Sequence, residues 1–155
     1  MPGGEEWVKQ LQPTGPEPVA AYDGQIIDLG GRSLQIIFTP GHTHGSLCVF
    51  EEATGSLFTG DNVQANATAL REWNSCTVEE FYESLQKLSE LPVKRILGGH
   101  RPNDNLPDLL KRKLECAEQI LNGAVGTEKT QMGITALEFE WKDTAITYLP
   151  DKIRR

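Results

Sequence analysis

Residues 33–61 read SLQIIFTPGHTHGSLCVFEEATGSLFTGD, and the rest of the chain is interpreted outward from them. Apolar and β-branched residues at 33–38, 47–50 and 56–59 predict three short strands. Pro40-Gly41 ends the first, and the second and third form a hairpin around residues 53–55. The first and third strands each run into a polar loop that carries a histidine or an aspartate. The segment therefore predicts a β-rich scaffold with His42 and Asp61 at strand ends.

The segment before these strands divides the chain into a lead-in and one domain. Residues 1–21 include QPTGPEPVA at 12–20 and are rich in Pro and Gly, which predicts an irregular lead-in. Residues 25–29 form a further strand, joined to the strand at 33–38 by Gly30-Gly31, a typical hairpin turn. With 155 residues there is room for one core, so residues 22–155 are predicted to be a single domain.

The second half of the chain alternates helices and strands. The run TVEE at 77–80 is a capping box and predicts a helix that buries Phe81, Leu85 and Leu88 and stops before Pro92. A second helix, from near Pro107 to Asn122-Gly123, is predicted to bury its leucine face and to expose the charged run at 111–113. Further strands are predicted at residues 93–97, 134–141 and 145–149, with a turn at 142–143 between the last two.

Composition and charge argue against several classes of partner. The formal net charge is −7, which disfavours nucleic acid and anionic membranes because both attract basic surfaces. No apolar run is long enough to span a bilayer, and the first residues lack a signal-peptide pattern. Cys48, Cys76 and Cys116 show no C-x-x-C spacing, so we interpret them as reduced, mostly buried thiols of a cytoplasmic protein.

Three strand ends carry the residues with chemical potential. They are PGHT at 40–43, TGD at 59–61 and GGH at 98–100, and each includes a glycine that lets the backbone turn sharply. Two of the three histidines of the chain follow a glycine at such an end. Imidazole nitrogen and carboxylate oxygen are ligands that zinc accepts, so His42, Asp61 and His100 are candidate metal ligands.

These motifs resemble those of the metallo-β-lactamase-fold hydrolases. The runs TPGHTHGS at 39–46, LFTGD at 57–61 and ILGGH at 96–100 are similar to the third, fourth and fifth motifs of that family, in the same order. The resemblance extends from about Tyr22 onward and implies an α+β fold, the αβ/βα sandwich of the family, truncated to its C-terminal half. The motifs, with an aspartate rather than a cysteine at position 61, look closer to the thioesterase-like hydroxyacylglutathione hydrolases than to the antibiotic-degrading members of the family.

The resemblance also implies roles for the site residues. His42 would bind a first metal, His100 a second, and Asp61 would bridge both, so Asp61 is also the catalytic candidate. The cofactor would be zinc, two ions per complete site, although the same ligands accept iron or manganese. The implied activity is hydrolysis of an ester, thioester or lactone of a small-molecule substrate, with metal-activated water as the nucleophile.

One part of the family pattern does not occur in these 155 residues. The first motif, a His-x-His-x-Asp-His run, is absent, and His44 is the one histidine left over. Two ligands for each metal are fewer than the three protein ligands of a usual catalytic zinc site. The sequence therefore leaves open whether the chain alone is an enzyme. It predicts a partner that completes the domain, either an N-terminal half or a second copy in a homodimer.

Three further residues have alternative interpretations. His44 and Arg101 are candidates to support the ligands or to contact substrate; a solvated surface arginine is the simpler interpretation of Arg101, and a substitute ligand is the alternative for His44. Cys76 lies just before a predicted helix, where a thiolate is activated, although such a cysteine is more often structural. For the whole chain, the alternative to a hydrolase is a non-catalytic truncated homologue that acts as a binding or assembly module. A metal-storage or regulatory site is a third option.

Overall fold

The computed structural model describes residues 19–100 and 108–154. Over these residues the chain forms nine strands, two α-helices and one 3-10 helix. The strands are β1 (Ile26–Asp28), β2 (Ser33–Phe38), β3 (Leu47–Glu51), β4 (Ser56–Gly60), β5 (Ala67–Leu70), β6 (Arg95–Gly98), β7 (Thr127–Gln131), β8 (Ile134–Trp141) and β9 (Thr144–Tyr148). The helices are α1 (Val78–Ser89), α2 (Asp108–Leu121) and the 3-10 helix Pro150–Lys152.

The strands form two mixed sheets. The five-stranded sheet has the order β1-β2-β3-β4-β6, in which β4 and β6 are parallel and the other pairs antiparallel. The four-stranded sheet has the order β5-β9-β8-β7, with β5 and β9 parallel. Between β4 and β6 the chain contributes β5 to the four-stranded sheet and then forms α1. Both sheets are therefore tied together by the middle of the chain.

The two helices and one face of each sheet enclose a single core. The capping box is formed as predicted, because the Thr77 hydroxyl accepts from the Glu80 amide and the Glu80 carboxylate accepts from the Thr77 amide. The helices pack against each other, and α2 also packs on β8 and β9. The largest fully buried apolar side chains of the core come from six of these elements: Leu57, Leu70, Phe81, Leu85, Leu88, Ile96, Leu109, Ile120, Ile146 and Tyr148.

The predicted α+β class is confirmed, and so are most elements. The strands β2 and β8 have the predicted bounds, and the Gly30-Gly31 turn has both glycines at positive φ. The strands β5 and β7 were not predicted. With four residues, β5 is too short to show a period, and every residue of β7 is exposed, so its sequence TEKTQ has no apolar face.

Lys113 contradicts the prediction that residues 111–113 form a solvated face. Its side chain is fully buried, and its ammonium group donates to the carbonyls of Asn66 and Ala145, 2.7 and 2.8 Å away. The prediction was wrong because the long aliphatic stem of a lysine can cross a core when acceptors lie at its end. Lys111 is exposed, and Arg112 pairs with Asp143 at 3.0 Å.

The second face of the five-stranded sheet exposes apolar side chains. Phe38 pairs with Leu47 across β2 and β3, and Phe58 pairs with Val49 across β3 and β4, so Phe38, Leu47 and Phe58 share one face. They are 41%, 36% and 42% exposed. We call these three residues the apolar face.

The sequence also led us to expect an irregular N-terminal lead-in and no membrane-spanning segment. Residues 19–21 are exposed and irregular, whereas residues 1–18 lie outside the described part, so the boundary at residue 21 stays a prediction. Neither of the helices in residues 19–100 and 108–154 has the length and apolar character needed to cross a membrane.

Candidate metal centre

Sheet topology explains why the three predicted ligands converge. Because β2 is antiparallel to β3, and β3 to β4, the strands β2, β4 and β6 all run in the same direction. Their carboxyl ends therefore meet at one edge of the sheet. His42 lies in the loop after β2, Asp61 directly follows β4, and His100 lies two residues beyond β6. Glycine-containing turns at each end bring the three side chains together over this edge.

The Asp61 carboxylate lies between the two imidazoles. His100 Nε2 is 3.1 Å from Asp61 Oδ1, and His42 Nε2 is 3.9 Å from Asp61 Oδ2. Ligand atoms that share a tetrahedral zinc, with bonds of about 2.1 Å, are roughly 3.4 Å apart. Each imidazole thus faces a different carboxylate oxygen at a separation suited to a shared ion. The donor set and its spacing fit a metal centre that His42, Asp61 and His100 would hold.

His42 is oriented by contacts from three other segments. Its Nδ1 lies 2.8 Å from the carbonyl of Ala69 in β5; because a carbonyl can only accept, Nδ1 is the donor of this contact, and Nε2 is the nitrogen left to face a metal. The His42 amide donates to Asn62 Oδ1 at 2.8 Å, and the Ser75 hydroxyl donates to the His42 carbonyl at 2.7 Å. Such a fixed ring orientation is typical of a histidine that binds a metal.

Asp61 is positioned by its neighbours and by a close backbone approach. The Gln64 side-chain amide donates to Asp61 Oδ1 at 3.2 Å. Gly99 donates its amide to the Gly60 carbonyl at 2.8 Å, and a Cβ at position 99 would lie 2.8 Å from Asp61 Oδ1. Gly60 itself has φ +50°, which favours glycine. The glycines of both motifs are therefore required for the carboxylate to stand where it does.

A polar cavity opens over these ligands. Its volume is about 320 Å³, and its lining includes His42, Asp61, His100, Arg71 and Gln131. A second cavity of about 600 Å³ shares Gln64, Ala67, His100 and Gln131 with it and continues along the four-stranded sheet. His42, Asp61 and His100 thus line one cavity, and His100 also lines the second.

Arg71 is the cation of this cavity. It is 9% exposed, and its Nη1 donates to Gln131 Oε1 at 2.8 Å. Its Nε has no hydrogen-bond partner among the described residues, and the nearest carboxylate oxygen, on Glu72, is 3.6 Å away. Arg71 therefore places a positively charged side chain in the lining of this cavity.

Of the two remaining candidates, His44 lies away from the centre. His44 is exposed, and its Nδ1 is 3.0 Å from Cys76 Sγ. Arg101 lies outside the described residues, so its role stays a prediction. Asn62, Gln64 and Arg71 were missed, because nothing in their spacing distinguishes them from other polar loop residues. The one available signal was the position of Asn62 next to Asp61.

The three cysteines are reduced thiols, as predicted, and all are buried. Burial raises the pKa of Cys48 to about 11, although a hydrogen bond from Thr39 partly opposes this effect. Burial likewise raises the pKa of Cys116 to about 11. Cys48 and Cys116 are therefore protonated at neutral pH and behave as core side chains.

A profile of the metallo-beta-lactamase superfamily matches residues 2–100, more than half of the chain. The chain belongs to the metallo-beta-lactamase superfamily. The match ends on His100, so it contains all three strand-end motifs. The resemblance of these motifs to the superfamily is thereby confirmed.

Curated members of the superfamily share about a third of their residues with this chain over the matched part. The probable polyketide biosynthesis zinc-dependent hydrolase PksB of Bacillus subtilis is 34% identical over 103 residues, which cover 62% of this chain and 44% of that protein. The human acyl-coenzyme A thioesterase MBLAC2 is 32% identical over 98 residues, which cover 60% of this chain and 33% of that protein. The chain matches less than half the length of these relatives.

Solved structures confirm the metallo-beta-lactamase fold. A superfamily protein of Thermus thermophilus superposes with a TM-score of 0.57 at 23% sequence identity, covering 74% of this chain and 41% of the other. The metallo-beta-lactamase of Pontibacter korlensis gives a TM-score of 0.57 at 22% identity, covering 73% of this chain and 54% of the other. The two sheets and two helices described above are thus part of the α+β sandwich of this superfamily.

Proposed function

We propose that this chain provides the His42–Asp61–His100 part of a metal centre that hydrolyses acyl thioesters. The observation that carries the proposal is the Asp61 carboxylate, which lies between two imidazoles at 3.1 and 3.9 Å. The names of the relatives support it, since PksB is called a zinc-dependent hydrolase and MBLAC2 an acyl-coenzyme A thioesterase.

The residues of the chain would act by binding and orientation. His42 would bind one zinc through Nε2, His100 would bind another, and Asp61 would offer one oxygen to each, with iron or manganese as substitutes. When bound, such ions supply a Lewis acid and lower the pKa of coordinated water. The Ala69 carbonyl orients the His42 ring, and the Gln64 side-chain amide orients the Asp61 carboxylate. Neither side chain would then have to reorient to bind a metal.

The two cavities give a place for the acyl substrate. Arg71, a positively charged side chain in the lining of the first cavity, would hold the thioester carbonyl or a carboxylate of the acyl group. The adjoining cavity of about 600 Å³ would take the remainder of the small molecule. We favour thioesters over simple esters and lactones because of the thioesterase name of the human relative.

We further propose that the remaining metal ligands come from a partner. The chain has three histidines in total, and it matches 44% of the length of PksB. An N-terminal half of the domain or a second copy of the chain could complete the site, and the apolar face offers a surface for either. The reduced, buried thiols fit a cytoplasmic location.

The exposed apolar face also favours a second candidate function. A truncated homologue that binds or assembles with another protein would use Phe38, Leu47 and Phe58 for contact and would need no complete metal centre. Metal content and thioester hydrolysis distinguish this binding module from the hydrolase.

The test combines two measurements on the same protein. The chain is stripped with a chelator, reloaded with zinc and analysed for bound metal per chain. Hydrolysis of acyl-coenzyme A thioesters, esters and lactones is then followed for the 155-residue chain and for the product of the whole reading frame that contains it. The variant Asp61→Asn removes the bridging carboxylate, and Asp151→Asn, at an exposed position in the 3-10 helix, is the matched control.

We expect zinc at this centre and thioester hydrolysis that both depend on Asp61 and are unchanged in Asp151→Asn. Metal binding at this centre without hydrolysis by either product would favour the binding module. Zinc uptake that is unaffected by both Asp61→Asn and His42→Ala would overturn the proposed centre.

A further inference from the structure

A second group of metal-binding side chains lies outside the centre described above. His44, Cys76 and Glu80 each offer one ligand atom, and these atoms all lie within 4.8 Å of one another. The Cys76 thiol and His44 Nδ1 are 3.0 Å apart. We propose that these three residues form a separate binding site for a thiophilic divalent ion such as zinc.

The backbone holds the first two residues of this cluster in register. The His44 amide donates to the Asn74 carbonyl at 3.0 Å, and the Cys76 amide donates to the Gly41 carbonyl at 2.9 Å. The loop before Cys76 is also fixed from the other side, because the Lys152 ammonium donates to the carbonyls of Glu72 and Ser75 at 2.6 and 2.8 Å. Four hydrogen bonds, none of them made by the imidazole or the thiol, thus fix the backbone around His44 and Cys76.

The third ligand is positioned by a helix. Glu80 lies in the first turn of α1, and its Oε2 accepts from the Thr77 amide at 2.9 Å in the capping box. Cys76 directly precedes the N-cap of the same helix, where the positive end of the helix dipole favours negative charge. The helix therefore brings a carboxylate and a thiol to one point.

The chemistry of the three donors suits zinc. Thiolate, imidazole and carboxylate are its usual protein ligands, and bonds of about 2.0–2.3 Å place donors on one tetrahedral ion roughly 3.3–3.7 Å apart. Small side-chain rotations would bring this cluster to that spacing. Cys76 is 1% exposed whereas His44 is exposed, so an ion would enter from the side of the imidazole.

The cluster is distinct from the centre at Asp61. His42 directs its Nδ1 to Ala69 and its Nε2 toward Asp61, whereas His44 meets Cys76. The two sets share no side chain, and the centre at Asp61 has no sulfur ligand among the described residues. A metal–thiolate signal therefore reports the second site alone.

The test is cobalt loading of the whole chain, followed by absorption spectroscopy. Cobalt bound by a thiolate gives a near-ultraviolet charge-transfer band, which nitrogen and oxygen ligands do not give. We expect the band in the unaltered protein and in His42→Ala, and its complete loss in Cys76→Ser. Cys116→Ser should keep it, because Cys116 is fully buried in the core.

Two further variants separate ligation from helix capping. Glu80→Gln keeps a side chain that can close the capping box but removes the anionic ligand, and it should weaken cobalt binding at least about tenfold. Thr77→Ala weakens the cap and removes the Thr77 hydroxyl that donates to Glu80 Oε2 at 3.1 Å, but it keeps the carboxylate, so it should weaken cobalt binding less than Glu80→Gln does. His44→Ala, at an exposed position, should weaken binding without disturbing the core.

The contrary results are equally specific. If saturating cobalt gives no thiolate band in correctly folded protein, the His44–Cys76 contact is a structural hydrogen bond and the proposal is wrong. Retention of the band in Cys76→Ser, or its loss in His42→Ala, would also overturn a separate site at Cys76.

Discussion

At the scale of single residues, Gly99 controls the position of the Asp61 carboxylate. A methyl group at this position would lie 2.8 Å from Asp61 Oδ1 and 3.3 Å from the Gly60 carbonyl carbon, so Asp61 would have to move. We expect Gly99→Ala to lower zinc affinity at least about tenfold, as is general when the support of a ligand is disturbed. Competition with a chromogenic chelator measures this change.

Gly45→Ala is the matched control for this prediction. A Cβ at position 45 would meet no atom within 4 Å, so this variant should bind zinc at the centre like the unaltered chain. Equal affinities of the two variants would show that the Asp61 carboxylate is not a ligand.

Lys113 gives a residue-scale prediction about stability. Replacing it with Met keeps most of the volume but leaves the Asn66 and Ala145 carbonyls without their shared donor. A buried hydrogen bond from a charged donor contributes about 1.5–3 kcal/mol, so losing both should lower the free energy of unfolding of Lys113→Met by roughly 2–4 kcal/mol. Urea denaturation followed by circular dichroism measures the loss.

Lys111→Met, at an exposed position of the same helix, should change the free energy of unfolding by less than about 0.5 kcal/mol. A similar loss in both variants would mean that charge on α2, rather than the buried hydrogen bonds, determines the effect.

The sequence singled out His42, Asp61 and His100 as candidate ligands, but it did not show the residues that position them. His42, Asp61 and His100 follow glycines or strand ends in a recognisable order, which is local information. Lys113 contacts residues 47 and 32 positions away, and the His42 ring contacts Ala69, 27 positions away. Such partners depend on how two sheets and two helices meet, so no local pattern shows them.

At the scale of elements, Glu51 connects two hairpins. It ends β3, is 1% exposed, pairs with Arg32 in the turn between β1 and β2, and accepts from the Thr54 hydroxyl at 2.5 Å. The Arg32 guanidinium, followed by the Thr54 hydroxyl, lowers the pKa of Glu51 from 4.5 to about 2. Stability from this carboxylate is therefore present above pH 4.5 and is lost as the pH falls toward 2.

We expect Glu51→Gln to remove this part of the pH dependence. The unaltered chain should lose stability between pH 4.5 and 2 more steeply than the variant, as measured by denaturation midpoints across that range. Glu52→Gln, at the exposed neighbouring position, should follow the unaltered curve. Identical curves for the unaltered chain and Glu51→Gln would show that the Arg32 pair does not persist in solution.

Elements with one face packed on the core were easier to predict from the sequence than exposed elements. The strand β8 and the helix α1 each show an apolar period, because one face is buried, and both were predicted close to their bounds. The strand β7 has no buried residue and owes its pairing to β8 across the turn at Met132 and Gly133, where φ is +54° and +79°. Pairing with a neighbour, rather than its own sequence, makes it a strand.

At the scale of the whole molecule, we expect the apolar face to cause self-association of the isolated chain. Phe38, Leu47 and Phe58 are each at least 36% exposed on adjacent strands, and apolar surface of this kind is stabilised by burial. Sedimentation velocity should show a concentration-dependent dimer, and Phe58→Ser should shift it toward monomer.

Trp73→Ser is the control for this experiment, because Trp73 is 90% exposed in the loop before α1 and lies off the apolar face. A monomer at all concentrations, or an equal shift in both variants, would contradict association through these strands.

The hydrogen bond between His42 and Ala69 has a consequence for motion. His42 follows a strand of the five-stranded sheet, and Ala69 lies in β5, an edge strand of the four-stranded sheet. An ion that immobilises the His42 ring would therefore stabilise this contact between the two sheets. We expect metal loading to slow amide hydrogen exchange in residues 67–70, far more than in β7 at the opposite edge, so that local opening of β5 becomes part of global unfolding.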